Sequence, residues 1–166
     1  LMQTRAMQRL HGVLQHGITG LIGLTHPTSR LEHSLGVMWL VRHFGGTLNA
    51  QIAALLHDIS HTAFSHVIDY VVENHDQQSY HEDKKAWFVD QSDVPATLIR
   101  HDIDLATVLH EEEYALLEQP APRLCADRLD YFLRDSVDLG FASLAEVRAA
   151  LDHLVVAEGR IVAGDL

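Results

Sequence analysis

Residues 55–69 carry an unusual density of ionisable side chains on a background that otherwise favours a buried helix. The histidines and aspartates of this segment are His57, Asp58, His61, His66 and Asp69. Imidazole nitrogens bind divalent transition metals well, and carboxylates add negative charge to such a site. The segment therefore has two interpretations: either its polar groups satisfy one another in the core, or they hold a metal ion.

The adjacent residues His57 and Asp58 could bind one ion only at the end of a helix. Within a continuous helix, neighbouring side chains point about 100° apart. A helix break near Ile59 would remove this obstacle. A His-Asp dipeptide alone is weak support for a metal, because the chain has a second one at His101 and Asp102. That second dipeptide lies in a polar stretch, and we expect it to be a surface or capping pair.

Composition limits the classes of protein to which the chain can belong. It has 166 residues, 47% of them hydrophobic, and a net charge of -11 with histidines neutral. The length and hydrophobic content indicate one globular domain, residues 1–166, with core motifs in residues 30–135. The acidic net charge argues against nucleic-acid binding. The single cysteine, Cys125, excludes an internal disulfide, and no apolar run is long enough for a membrane span. We expect a cytoplasmic protein without a membrane partner, and a chain that is trimmed or part of a longer one.

The apolar periodicity is helical through most of the chain. It predicts helices over about 28–44, from Thr47 to about 57, over about 64–73 and over about 123–139. Ser79 with Glu82, and Ser143 with Glu146, fit capping boxes that begin further helices. Two short apolar runs around residues 158–159 predict a β-hairpin. We therefore expect an all-α helical bundle with a small C-terminal β-hairpin.

Two further motifs accompany residues 55–69. Arg-x-x-His-Ser-x-Gly (residues 30–36) contains His33, and Asp-Arg-x-Asp-Tyr (residues 127–131) contains Asp127. The segment between them reads His-Asp-x-x-His-x-x-Phe-Ser-His-x-x-Asp. Together these motifs resemble the HD-domain metal-dependent phosphohydrolases, especially the branch that contains the deoxynucleoside triphosphate triphosphohydrolases. The order of motifs agrees with that family from about residue 9 to about residue 140.

The resemblance implies a role for each of these residues. It implies one divalent ion, with Mn²⁺, Fe²⁺, Ni²⁺ or Zn²⁺ favoured over Mg²⁺, and the metal ligands His33, His57, Asp58 and Asp127. It implies phosphate-facing catalytic histidines with orienting carboxylates: His61, His66, His81, Asp69 and Glu82. It implies the substrate-binding residues Arg30, Arg128, Tyr131, Asp135 and Gln15. Asp130, by contrast, is expected to be structural.

The same resemblance implies hydrolysis of a small phosphorylated substrate, most naturally a nucleotide, by metal-activated water. Association into homo-oligomers is also expected. Two alternatives stay open. One is a regulatory module that binds nucleotide or metal without turnover. The other is a dinuclear oxygenase, which would need additional metal ligands from among His61, His66 and His81.

Overall fold

A computed structural model describes residues 1–72 and 80–164 of the chain. In these ranges the helices are α1 (Arg5–Gln8), α2 (Ile18–Leu21), α3 (Arg30–His43), α4 (Leu48–Leu56), α5 (Val67–Val71), α6 (Tyr80–Asp90), α7 (Val94–Ile99), α8 (Leu105–Leu109), α9 (Ala126–Asp138) and α10 (Leu144–Asp152). Short 3-10 helices cover Arg9–Gly12 and Glu111–Glu113, and strands β1 (Leu154–Ala157) and β2 (Arg160–Ala163) follow α10. The predicted all-α bundle with a terminal hairpin is confirmed.

Local capping residues explain where several helices begin. The Ser29 hydroxyl accepts a hydrogen bond from the Glu32 backbone N–H, and the Glu32 carboxylate binds the Ser29 backbone in return. Thr47 caps α4, and the predicted capping box of Ser143 and Glu146 begins α10. Each cap satisfies N–H groups that lack partners in the first helical turn. The capping box predicted at Ser79 lies outside the described residues.

Two helices are shorter than the periodicity predicts. The helix expected from about residue 64 begins only at Val67, because Ser65 has a φ of 48° and cannot continue a right-handed helix. The buried Ser65 hydroxyl donates to the Leu14 carbonyl, which fixes this turn against the N-terminal segment. The helix expected from about residue 123 begins at Ala126.

Helix α3 is the central element of the bundle, because it packs against both α4 and α9. Buried residues form two hydrophobic clusters. One joins α1, α4, α7 and α8 to the first half of α3, and the other joins α4, α9 and strand β2 to its second half. None of the helices in the described part of the chain is long and apolar enough to cross a membrane. The packing of three helices places the ends of α4 and α9 beside α3.

Candidate metal centre

Four residues from α3, α4 and α9 converge at one point. His33 Nε2 lies 2.9 Å from Asp127 Oδ1 and 3.3 Å from His57 Nε2. Asp58 Oδ2 lies 3.6 Å from His57 Nε2 and 3.7 Å from His33 Nε2. Two imidazole nitrogens and two carboxylate oxygens thus face one another across distances that one ion could bridge.

The two histidines are oriented by hydrogen bonds from their other ring nitrogens. His33 Nδ1 lies 2.8 Å from Asp130 Oδ2, and His57 Nδ1 lies 2.7 Å from the Ala54 carbonyl oxygen. An acceptor at Nδ1 keeps a proton there, so that Nε2 is the nitrogen whose lone pair can bind a metal, the usual arrangement of a metal-binding histidine. The donor atoms therefore fit a divalent transition-metal ion.

The end of α4 lets adjacent residues share this centre. The helix ends at Leu56, and the Ile59 backbone N–H bonds the Leu56 carbonyl while the His61 N–H bonds the Asp58 carbonyl. This tight turn replaces a continuing helix. The requirement that His57 and Asp58 lie at a helix end is met.

Asp130, which the sequence analysis expects to be structural, contacts a candidate metal ligand. Its Oδ2 binds both His33 Nδ1 and, at 2.8 Å, Arg134 Nε. It approaches α3 at Gly36, where an added Cβ would overlap its Oδ1 and lie 2.7 Å from its Cγ. The spacing could have revealed this arrangement: Gly36 follows His33 by three residues, and Asp130 follows Asp127 by three, so each pair shares a helix face.

Asp130→Asn is expected to weaken metal binding by roughly 10- to 100-fold, because outer partners of metal-binding histidines contribute affinity of that order. The asparagine keeps the shape but removes the charge that holds the His33 ring in place. Competition with a chromogenic chelator would measure the affinity. Asp138→Asn, an exposed change on the same helix, is the matched control. Equal affinity in the two variants would contradict this role.

Three further histidines form a cluster next to Asp58. The His61 and His81 rings stack with centroids 3.8 Å apart, and His66 meets both rings edge-on. His61 Nε2 lies 3.1 Å from Asp58 Oδ1, outside hydrogen-bond geometry, and has no hydrogen-bond partner among the described residues. Burial lowers the pKa of His61 to about 4 and that of His81 to about 2. Both rings are therefore neutral at pH 7, and their nitrogen lone pairs are available to a metal or to a hydrogen-bond donor.

The two carboxylates expected to orient this cluster lie beside it. Asp69 is buried, with Oδ2 3.4 Å from His66 Nδ1 and Oδ1 accepting the Tyr80 backbone N–H. Glu82 Oε1 lies 3.9 Å from His81 Nε2, and its side chain is mostly exposed. Burial, followed by the charge of Glu111, raises the pKa of Glu82. The orienting roles of Asp69 and Glu82 stay predictions.

Arg30 is buried against the metal-ligand candidates. Its Nη1 donates to Asp58 Oδ2 at 2.6 Å, its Nε to Ser65 Oγ at 3.3 Å and its Nη2 to the Gln15 carbonyl at 3.4 Å. This contact supplies positive charge to the oxygen that also faces the two histidines. Whether Arg30 contacts phosphate as well stays a prediction.

Three of the other substrate-binding candidates, Arg128, Tyr131 and Asp135, lie on α9. Arg128 donates to the backbone carbonyls of Gln119 and Arg123, which ties α9 to the preceding loop. Its positive charge opposes the rise in the pKa of Tyr131 that burial causes. Asp135 Oδ1 lies 2.9 Å from His16 Nε2. The substrate-binding roles of these side chains stay predictions.

Gln15 has two features that bear on its predicted role. Its backbone N–H bonds the Thr28 carbonyl, which holds the segment beside the start of α3. Its side-chain Oε1 is buried and has no hydrogen-bond partner among the described residues. A buried amide oxygen without a partner is costly, so this atom is free to accept a bond from a bound group.

Charge coupling within the centre favours metal binding linked to proton release. Burial would lower the pKa of His57, but the negative charges of Asp58 and Asp127 outweigh it and raise that pKa to about 9. Burial would raise the pKa of Asp58, yet His57 and Arg30 hold it well below its usual range. Because a metal requires the unprotonated imidazole, binding at neutral pH must displace protons.

The second His-Asp dipeptide lies apart from any such cluster. His101 and Asp102 are both exposed in the turn that follows α7, and Asp102 has a φ of 54°. The expected surface position of this pair is confirmed. The contrast shows that the surrounding motifs, and not the dipeptide, identify the centre.

Comparison with known proteins agrees with this architecture. A sequence profile of the HD domain matches residues 30–135, and the chain therefore belongs to the HD-domain family. It is 46% identical over 154 residues to the metal-dependent phosphohydrolase cns2 of Cordyceps militaris, covering 93% of this chain and 44% of that protein. It is 45% identical over 162 residues to the uncharacterized protein YdhJ of Bacillus subtilis, covering 97% and 50%.

A solved structure has the same fold. The phosphohydrolase BT4208 of Bacteroides thetaiotaomicron superposes with a TM-score of 0.64 at 26% identity, over 95% of this chain and 42% of that one. The chain thus spans about half the length of the curated relatives that it matches.

Proposed function

We propose that this chain is the catalytic domain of a metal-dependent phosphohydrolase. The observation that carries the proposal is the convergence of His33, His57, Asp58 and Asp127, with neutral histidines on one side of Asp58. The centre combines a group of metal donors with proton acceptors, and phosphate-ester hydrolysis needs both. The name of the Cordyceps militaris relative and that of the Bacteroides structure support the same class of reaction.

The positions of the centre's residues support a role for each of them in this proposal. A divalent ion held by His33, His57, Asp58 and Asp127 would act as a Lewis acid on a phosphoryl oxygen and lower the pKa of water. His61, neutral and beside Asp58, would accept the proton that the attacking water loses as its oxygen bonds to phosphorus.

His66 is suited to donate a proton to the leaving oxygen. Its side chain is 41% exposed, more than that of His81 at 13%, and is therefore more accessible to a substrate. Asp69 Oδ2 lies 3.4 Å from His66 Nδ1, neither atom has a hydrogen-bond partner among the described residues, and a small shift of the ring would let this carboxylate orient it.

We propose a nucleotide as the phosphorylated substrate. Asp127, Tyr131 and Asp135 are spaced four residues apart on α9 and therefore share a face that leads away from the metal donors. The phenol ring of Tyr131 offers an apolar surface, and Asp135 with His16 offers hydrogen-bonding atoms. A sugar and base could occupy this face while the phosphate lies at the metal donors.

A second candidate function is that of an oxygenase with a dinuclear metal centre. Asp58, His61 and His81 offer donor atoms that all lie within 4.8 Å of one another, and Asp58 also belongs to the first donor group. A carboxylate shared in this way could bridge two ions, as the oxygenase alternative requires. Metal content per chain, measured after reconstitution with Mn²⁺ or Fe²⁺, separates one ion from two.

Product analysis by ion-exchange chromatography tests the proposed function. The protein would be incubated with Mn²⁺ and a panel of nucleoside mono-, di- and triphosphates, beside an Asp127→Ala variant. Release of phosphate, pyrophosphate or triphosphate, abolished in the variant, is expected and would identify the bond that is cleaved. Tight nucleotide binding with metal bound and no product would instead favour the regulatory module and contradict the proposal.

A further inference from the structure

An arginine of the N-terminal 3-10 helix, Arg9, binds the backbone of the segment that carries Asp58 and His61. We propose that Arg9 is a positioning residue, which places the His61 imidazole for proton transfer by binding the backbone on both sides of Ser60. The inference rests on the proposed hydrolase function, in which His61 accepts a proton.

Both terminal nitrogens of the Arg9 guanidinium bind the backbone of this segment. Its Nη1 donates to the His61 carbonyl oxygen at 2.7 Å, and its Nη2 donates to the Ile59 carbonyl oxygen at 2.6 Å. Its central carbon lies 4.8 Å from the centroid of the Phe88 ring on α6. A planar fork that stacks on an aromatic face and binds two acceptors is specific to arginine, because a lysine ammonium is a single point charge.

The segment depends on this contact because it has no regular secondary structure. It lies beyond the end of α4 and is held locally by single-turn hydrogen bonds. Ile59 is fully buried and His61 is 2% exposed, so water has little access to this part of the backbone. Without Arg9, two buried carbonyls would lose their strong donors, and such groups are costly to leave unpaired.

A second contact links the same segment to His81. The Ser60 hydroxyl donates to the His81 carbonyl at 2.7 Å, and the His61 and His81 rings stack with an interplanar angle of 19°. Arg9 and Ser60 therefore hold both rings in register from the backbone side. Loss of the two hydrogen bonds from Arg9 is therefore expected to shift the His61 ring relative to Asp58.

This geometry predicts a selective kinetic defect in Arg9→Ala. Displacement of a reacting group by about 1 Å can cost as much as 100-fold in rate. We expect kcat on the substrate found by product analysis to fall by roughly 10- to 100-fold. KM should change little, because Arg9 contacts the Ile59 and His61 carbonyls and the Phe88 ring rather than the residues proposed to bind substrate. Arg9→Lys should restore only a small part of kcat, and added guanidinium ion should partly rescue Arg9→Ala.

Arg5→Ala is the matched control, because Arg5 lies one helical turn earlier and its side chain is 95% exposed. It should keep normal kcat and show no response to guanidinium. A loss of kcat in Arg9→Ala that guanidinium does not rescue, accompanied by lower thermal stability, would reduce Arg9 to a structural residue and overturn the proposal. Unchanged kcat in Arg9→Ala would overturn it as well.

A spectroscopic measurement separates this proposal from the proposed function. Histidine-selective ¹⁵N labelling would report the imidazole resonances of His61, assigned by the loss of its signals in His61→Gln. We expect these resonances to shift in Arg9→Ala and to stay in place in Arg5→Ala, whether or not any substrate is hydrolysed. An unshifted His61 signal in Arg9→Ala would show that Arg9 does not position the ring.

Discussion

Asp58→Asn is expected to abolish hydrolysis and most of the metal affinity. One oxygen of Asp58 faces both His33 and His57, and the other lies 3.1 Å from His61. The asparagine amide is a poor metal donor, and it lacks the negative charge that the carboxylate presents to His33 and His57 on one side and to His61 on the other. The loss of metal affinity should exceed the roughly 10- to 100-fold that removal of an outer partner causes.

The same substitution should also destabilise the metal-free protein. Arg30 and Asp58 form an ion pair whose side chains are 6% and 5% exposed. Removing one partner of a buried pair leaves an uncompensated charge, at a cost of about 3–5 kcal/mol in the free energy of unfolding. Chemical denaturation of the metal-free variant would measure that loss, and chelator competition would measure the metal affinity.

The chain provides a matched control in its second His-Asp dipeptide. Asp102→Asn changes the same residue type in the same dipeptide, but at an exposed turn whose positive φ asparagine also tolerates. Stability, metal affinity and hydrolysis should all be unaffected. If Asp58→Asn behaved like Asp102→Asn in these measurements, the centre described here would not be the metal site.

Local sequence rules predicted the elements that depend on near neighbours. The hairpin is an example: Ala157 pairs with Arg160, and the two residues between them, Glu158 and Gly159, both have positive φ. A two-residue turn of this kind favours glycine, so the sequence carries the information locally. The capping of α10 by Ser143 is local in the same sense.

The convergence of the four donors was predictable only through the family motifs. Periodicity places His33 and Asp127 on helices 94 residues apart in sequence, but it cannot say that these helices meet. The motif resemblance supplied that information, because it associates residues by their common role. The contacts of Asp130 with His33 and of Arg9 with the Ile59 and His61 carbonyls, which no family motif indicates, appear only in the fold.

Some side-chain partners in the site come from distant segments and could not be predicted from the motifs. Arg30 was interpreted as a phosphate clamp, while the fold brings it to Asp58 across 28 residues of sequence. The fold also pairs His16 with Asp135 across 119 residues of sequence. Each pairing joins a helix to a turn that is distant in sequence, and residue spacing within one helix does not determine how the two pack.

Gly36→Ala is expected to disrupt the packing of α3 against α9 and, with it, the metal centre. Alanine normally stabilises a helix interior by about 0.5–1 kcal/mol relative to glycine. At this position, however, the new Cβ would overlap Asp130 Oδ1 and lie 2.6 Å from Arg134 Nη2. Overpacking of a tight interior costs typically about 1–3 kcal/mol and occasionally more. We therefore expect a net loss in the free energy of unfolding.

Metal affinity should fall together with stability, because relief of the overlap must move either the Asp130 side chain or the whole of α9. In the first case His33 Nδ1 loses its partner, and in the second Asp127 withdraws from His33. Gly12→Ala is the matched control, since an added Cβ there meets no atom within 4 Å. Urea denaturation and chelator competition would be measured on both variants.

The double variant Gly36→Ala/Asp130→Ala identifies the cause of the defect. If the overlap with Asp130 is responsible, removing that carboxylate should recover part of the stability lost in Gly36→Ala, and the two changes should not be additive. Metal affinity should stay low in the double variant, because His33 still lacks its partner. Strictly additive losses of stability would mean that Gly36 and Asp130 do not constrain each other, and that the glycine of the motif serves another contact of α3.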